Sequence, residues 1–165
     1  MIRRIVVDGN DGTGKTATIN KLKFLFPGIE IQDRGLFSEA TLNDELFKEY
    51  EEESKRRENN PNLFLNFGMN IDNQQVNKNI MNFLLSLSEI PECDTLFIIC
   101  VADPEVCQQR IAARGDSIEE EYHTMEDLKK FDYRFRILCR LADYKQNIML
   151  VDTTNRTNPD TCDLV

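Results

Sequence analysis

The chain has 165 residues, 41% of them hydrophobic and 30% charged, a balance that suits one globular domain with a real core. Its formal charge of −9 disfavours a broad nucleic-acid surface, because such surfaces gain affinity by neutralising phosphates. No apolar run approaches the ~20 residues of a membrane span, no signal-peptide core is present, and the five cysteines include no C-x-x-C pair, so reduced thiols in the cytoplasm are expected rather than a disulfide framework or zinc site.

Ile5 to Val7 form the first predicted strand. Directly after it, Asp8-Gly9-Asn10-Asp11-Gly12-Thr13-Gly14-Lys15-Thr16 fits G-x-x-x-x-G-K-[ST] from Gly9 to Thr16. The glycines at 9, 12 and 14 let the backbone turn sharply and aim successive amides at a phosphate, with Asn10, Asp11 and Thr13 between them. Lys15 supplies a mobile cation for the β and γ oxygens of a triphosphate, and Thr16 offers a hydroxyl to Mg²⁺. A helix follows with Ile19, Leu22 and Phe26 on one face and Leu25 beside them. Its positive N-terminal end therefore faces the same anion.

Phe26-Pro27-Gly28 ends that helix, and Ile29 to Gln32 reads as a second strand. One helix is expected from Ser38 to about Arg57, with Leu42, Leu46, Phe47 and Tyr50 on its apolar face and a solvated, charged end from Glu49 to Glu58. Asn59-Asn60-Pro61-Asn62 breaks it. The next helix runs from about Asp72 to Leu87, with Val76, Ile80, Phe83, Leu84 and Leu87 at helical spacing. Thr95 to Val101 is apolar almost throughout, as a strand covered on both faces must be. Pro104 opens a helix reaching Ala113, and Gly115 to Glu121 is a polar, acidic loop. A long helix from about Thr124 to Ala142 starts with Thr124 and Asp127, a pair close to a capping box, and Asn147 to Val151 is the last strand. This alternation predicts an α/β fold with a parallel sheet.

Asp33-Arg34-Gly35 sits at the carboxyl end of the second strand, where ligands gather in parallel sheets, and so should lie beside the glycine loop. There Asp33 can hold Mg²⁺ or orient an attacking hydroxyl, and Arg34 can clamp a phosphoryl oxygen. A strand-end salt bridge is the competing structural reading. Arg110 and Arg114, at i and i+4, either close over a triphosphate or form a solvated face. Spacing does not choose among Arg134, Arg136 and Arg140 on the next helix. A carboxylate at Asp11 repels phosphate unless it faces another group such as a sugar hydroxyl. Asp8 poses the same question, with pairing to Lys15 or a nearby arginine as its alternative. His123 reads as a surface residue.

With these residues in hand, the chain resembles the thymidylate kinase and deoxynucleoside kinase families of P-loop enzymes. The loop Asp8 to Thr16 is similar to the thymidylate kinase form, its acidic residue included. Asp33-Arg34-Gly35-Leu36-Phe37-Ser38 resembles that family's D-R-x-x-x-S element, although Gly35 stands where tyrosine or histidine is usual. The run from Asp103-Pro104 to Arg110 and Arg114 is similar to the element both families place after the fourth strand. Glu119-Glu120-Glu121 and the helix after it read like their lid and post-lid helix, in an acidic version. Between Thr16 and Asp33 the chain lacks the strand and helix these families insert, a unit that carries acceptor-binding residues, among them the glutamate that activates the hydroxyl in nucleoside kinases.

The resemblance implies a three-layer P-loop NTPase fold with a short, mostly parallel sheet flanked by helices, forming one domain over residues 1–165 with a lid loop at about 114–122. It implies MgATP as donor, held through Asn10, Asp11, Gly12, Thr13, Gly14, Lys15 and Thr16, with Thr16 and Asp33 at the metal. Asp8, Asp11, Arg34 and Ser38 would meet the acceptor, and Lys15, Asp33, Arg34, Arg110 and Arg114 would be catalytic; Thr153 to Arg156 would lie near adenine. The reaction expected is phosphoryl transfer from ATP to a deoxynucleoside monophosphate. The alternatives are a kinase acting on a hydroxyl of a nucleoside or of a modified base in DNA such as 5-hydroxymethyluracil, and a nucleotide binder without turnover. The expected partners are ATP and a nucleotide or nucleoside, with a homodimer allowed, DNA disfavoured by charge and no membrane. A compact, phage-like origin would put the chain in a host cytoplasm.

Overall fold

The structure, a computed structural model, describes residues 1–42, 44–59, 78–115 and 124–156. The expected acidic lid at Glu119 to Glu121, His123, the Asn60-Pro61-Asn62 break, the start of the helix expected from Asp72 with Val76, and Cys162 all lie outside the described residues. Among the described residues no helix is long and apolar enough to cross a membrane.

Four parallel strands form one sheet: β1 (Arg4–Gly9), β2 (Glu30–Asp33), β3 (Thr95–Val101) and β4 (Ile148–Asp152), in the order β2-β1-β3-β4. The apolar run of β3 sits between β1 and β4, and its two side-chain rows serve two cores. On one face, Ile5, Val7, Ile98 and Cys100 pack against Ile19 and Leu22 of α1 (Lys15–Leu25). On the other, Val6, Phe97 and Ile99 meet α2 (Leu36–Thr41), α3 (Asp44–Asn59), α4 (Lys78–Ser88) and α6 (Met125–Leu141). A smaller cluster joins Cys107 and Ile111 of α5 (Pro104–Ala113) to Leu128 of α6. The layers are helix, sheet, helix.

Several local signals act as expected. Pro104 stands at the start of α5, and the Thr124 hydroxyl accepts from the Asp127 amide at 3.2 Å to cap α6. Phe83, Leu84 and Leu87 of α4 are buried. Others need correction. Leu25 and Phe26 are largely exposed rather than packed with Ile19 and Leu22. The single helix expected from Ser38 is two, α2 and α3, and Leu42 is 72% exposed between them. The cause lies far along the chain. Buried Arg134 donates to the Thr41 carbonyl at 2.7 Å and to the Asp44 carboxylate at 2.6 Å, stabilising the end of one helix and the start of the next. The charged end of α3 is also not uniformly solvated, since Glu53 is buried and paired with Arg56 at 2.7 Å.

Candidate active site

The glycine loop joins β1 to α1, and its backbone takes the conformations its glycines permit. Gly9 (φ 141°), Gly12 (φ 79°) and Gly14 (φ 84°) lie in the positive-φ region. A Cβ on Gly9 would fall 2.3 Å from the Cys100 carbonyl oxygen, so only glycine fits beside β3. Gly14 is the residue before the first turn of α1, and that helix end carries no side-chain cap. Its amides are therefore left for an anion.

Side chains brace the rest of the loop. Asn10 donates to the Leu128 carbonyl of α6 at 3.1 Å and accepts from the Asp11 amide at 2.9 Å. Thr13 donates to the Asn10 carbonyl at 2.6 Å, and its own carbonyl accepts from Thr153 beyond β4 at 2.9 Å. Half-buried Arg110 donates to the Gly12 carbonyl at 3.1 Å, to the Thr153 hydroxyl at 3.0 Å and to the Thr153 carbonyl at 2.6 Å. The fork geometry of arginine thus ties the loop, α5 and the end of β4 together. Exposed Arg114 lies at the end of the same helix.

Asp8 is fully buried at the end of β1. Its carboxylate accepts from the amides of Gly9 (2.9 Å), Gly35 (3.1 Å) and Ser38 (3.0 Å) and from the Ser38 hydroxyl. A negative group gathering amides at the start of α2 fixes that helix beside the loop. Arg34 is the one non-glycine residue with positive φ among the described residues, at 64°. Its amide donates to the Val7 carbonyl at 2.9 Å, so β2 ends in a tight corner that turns the guanidinium back to Asp11, 3.4 Å away. The same Asp11 oxygen lies 3.9 Å from Lys15 Nζ. Burial of Lys15, and next the Arg34 charge, hold its ammonium below the ordinary lysine range, against the opposing pull of Asp11, Asp8 and Asp33. Asp33 is exposed at the end of β2, in register with Val7.

Two cavities flank this loop. The first, of about 900 Å³, is lined by Thr16 and Asn20 of α1, Gln109 and Arg110 of α5, Arg114 just after that helix, and Thr154. The second, of about 220 Å³, is lined on its polar side by Asp11, Lys15, Arg34 and Ser38, and on its apolar side by Leu42, Phe131 and Phe135. The expected site residues thus divide into a triphosphate-sized side and a smaller side, and Lys15 faces the smaller one. Phe131 and Phe135 were not singled out from sequence, because helical spacing alone assigns them to an apolar face. Of the other two arginines of α6, Arg136 pairs within the helix with Asp132 at 3.1 Å, and Arg140 pairs with Glu58 of α3.

No protein-family model and no curated protein matches the chain. Among solved structures, it is similar to a deoxyadenosine kinase from M. mycoides with bound dCTP, at 17% identity, over 95% of this chain and 94% of that one, with a TM-score of 0.51. At that identity the likeness is one of fold. The thymidylate kinase form in particular has no support from it. The parallel four-stranded sheet, the glycine loop between β1 and α1, and this likeness together give the chain the three-layer P-loop NTPase fold.

Proposed function

We propose that the protein transfers the γ-phosphoryl group of ATP to a deoxynucleoside monophosphate. The observation that carries this reading is the division of the glycine loop between two cavities, with Lys15 and Arg34 both beside the smaller one. Phosphoryl transfer asks a protein mainly for positioning and charge neutralisation, and two anionic reactants need cations between them. ATP would lie in the larger cavity, its phosphates on the α1 amides and its base toward Thr154 and Arg156.

In the step itself, an acceptor phosphate oxygen attacks the γ-phosphorus, the bond to the β–γ bridging oxygen breaks, and ADP leaves with the electron pair. The attacking oxygen of a monophosphate is already deprotonated, so no general base is required. Arg34 would hold that acceptor phosphate and Lys15 the charge spreading on the transferred group. Asp11 would meet a sugar hydroxyl. Thr16 at the start of α1 and Asp33 at the end of β2, both exposed, would be the protein ligands of Mg²⁺, which takes few protein oxygens. When bound, the ion would offset negative charge on the donor's phosphates. Arg110, committed to three oxygens of the loop and of Thr153, would act by holding the loop rigid, and Arg114 from the lid side.

A deoxynucleoside acceptor is the second reading. The second cavity is smaller than the ~300–1,000 Å³ of ordinary ligand sites, and the fold neighbour is a deoxyadenosine kinase. The hydroxyl proton would then pass to a carboxylate, with Asp33, exposed at the end of β2, as the candidate. ADP release from MgATP, measured with deoxynucleosides and their monophosphates in parallel, separates the two. Turnover on monophosphates is expected; turnover on nucleosides alone would replace the first reading with the second.

A further inference from the structure

Arg134 lies outside the loop, outside β2 and outside the lid, yet it is the buried arginine of α6, at 8% exposure. A buried guanidinium is costly unless every donor is used, so its contacts are informative. One arm donates to the Thr41 carbonyl at 2.7 Å, the last residue of α2, and the other to the Asp44 carboxylate at 2.6 Å, the first residue of α3. Its plane lies over the Phe47 ring, 4.9 Å from the centroid, and 5.7 Å from that of Phe131. A cation at the carbonyl end of α2 and a carboxylate at the amide end of α3 both complement the helix charges they face.

The corner so held forms a wall of the smaller cavity. Thr41 at the end of α2 and Leu42 just after it line this wall, and Phe131 lines it from α6, one turn from Arg134. The opposite end of α2 is fixed by Asp8 through Gly35 and Ser38. The six-residue helix that separates Arg34 from this wall is therefore pinned at both ends, once by the glycine-loop strand and once by α6. The larger cavity shares none of these residues.

We infer that Arg134 is a positioning residue for the acceptor, holding the Thr41–Asp44 corner, and through it the acceptor cavity, without touching the reactants. This rests on the phosphoryl-transfer reading for what the cavity binds, and on the described contacts alone for the corner.

The test compares wild type with Arg134→Gln and with Asp44→Asn, which removes the partner charge from an exposed position and leaves the core intact. Two measurements are made on each. In hydrogen–deuterium exchange, the amides of α2 should exchange roughly tenfold faster in Arg134→Gln, with those of α1 unchanged. In kinetics, KM for the acceptor should rise about tenfold while KM for ATP stays within about twofold, and Asp44→Asn should move both readouts in the same direction by less. Arg134→Lys, which keeps the charge but not the two-armed geometry, should fall between wild type and Arg134→Gln. Unchanged α2 exchange in both Arg134→Gln and Asp44→Asn, or KM for ATP rising as much as KM for the acceptor, would overturn the inference. If wild type uses no nucleoside or nucleotide, the functional reading fails, and the exchange data alone decide the corner.

Discussion

Arg34 sets its guanidinium 3.4 Å from Asp11, and the backbone conformation that brings it there, φ 64°, is one that side-chain-bearing residues rarely adopt. A left-handed residue of this kind costs on the order of 1 kcal/mol and persists where its surroundings enforce it. Here the enforcing contacts are the Arg34 amide on Val7 and the Gly35 amide on Asp8. At Gly35 itself a Cβ would stand 2.9 Å from Val6 Cγ1, which accounts for glycine at that position.

Arg34→Gly and Arg34→Ala therefore separate strain from function. Both should lose most turnover on a monophosphate acceptor, by a hundredfold or so if a charge-assisted contact to the transferred or accepting phosphate is lost. In urea unfolding, Arg34→Gly should be the more stable of the two by about 1 kcal/mol, because glycine takes φ 64° without strain. Equal stabilities would mean the corner is unstrained, and an unchanged rate on monophosphates would remove Arg34 from the acceptor site.

Lys15 is held in a place that suits chemistry better than folding. Burial is the largest influence on its ammonium and opposes its charge. Lys15→Met should abolish phosphoryl transfer while leaving thermal stability equal to wild type or higher, since the apolar chain fills the same space without the desolvation cost. A fall of several degrees in Tm would show that the Asp11 contact outweighs that cost.

Asp8 holds α2 to β1 through three donors, the backbone amides of Gly35 and Ser38 and the Ser38 hydroxyl, all far along the chain. Asp8→Asn places an amide group against those N–H donors and should cost about 2–3 kcal/mol, read from the urea midpoint. Ser38→Ala, which removes one donor and leaves the carboxylate otherwise satisfied, should cost about 1 kcal/mol. If the two variants were equally mild, Asp8 would not be organising the helix.

The three loop glycines are not equivalent. Gly9→Ala drives a Cβ to 2.3 Å from the Cys100 carbonyl, a backbone atom that cannot move without disturbing β3, and should cost ~4 kcal/mol or more. At Gly14 a Cβ meets nothing within 4 Å, so Gly14→Ala should cost only the left-handed strain, about 1–2 kcal/mol. Chemical denaturation of the two variants side by side checks the contrast.

Local pattern made much of this fold legible. The apolar run of β3, Pro104 at the head of α5 and the Thr124 cap each state their structure within a few residues. So does the glycine loop, whose spacing specifies its chemistry as well as its backbone. What escaped the sequence depends on residues far apart. The break between α2 and α3 is set by Arg134, ninety-three residues beyond Thr41. The partner of Asp8 is thirty residues away at Ser38, and the Arg110 side chain is taken up by carbonyls on the loop and after β4. Periodicity places a charged residue on a face but does not say which distant carbonyl that face meets. Phe131 and Phe135 illustrate the same limit, because a cavity wall and a core face look alike along a helix.

The most direct test follows the labelled γ-phosphate of ATP, with Mg²⁺, into a panel of deoxynucleosides, deoxynucleoside monophosphates and DNA containing a hydroxymethylated base. Label should appear in a deoxynucleoside diphosphate, and Lys15→Met should abolish it. ATP binding with no labelled acceptor, or label in DNA alone, would contradict a site built for one small nucleotide on each side of the loop.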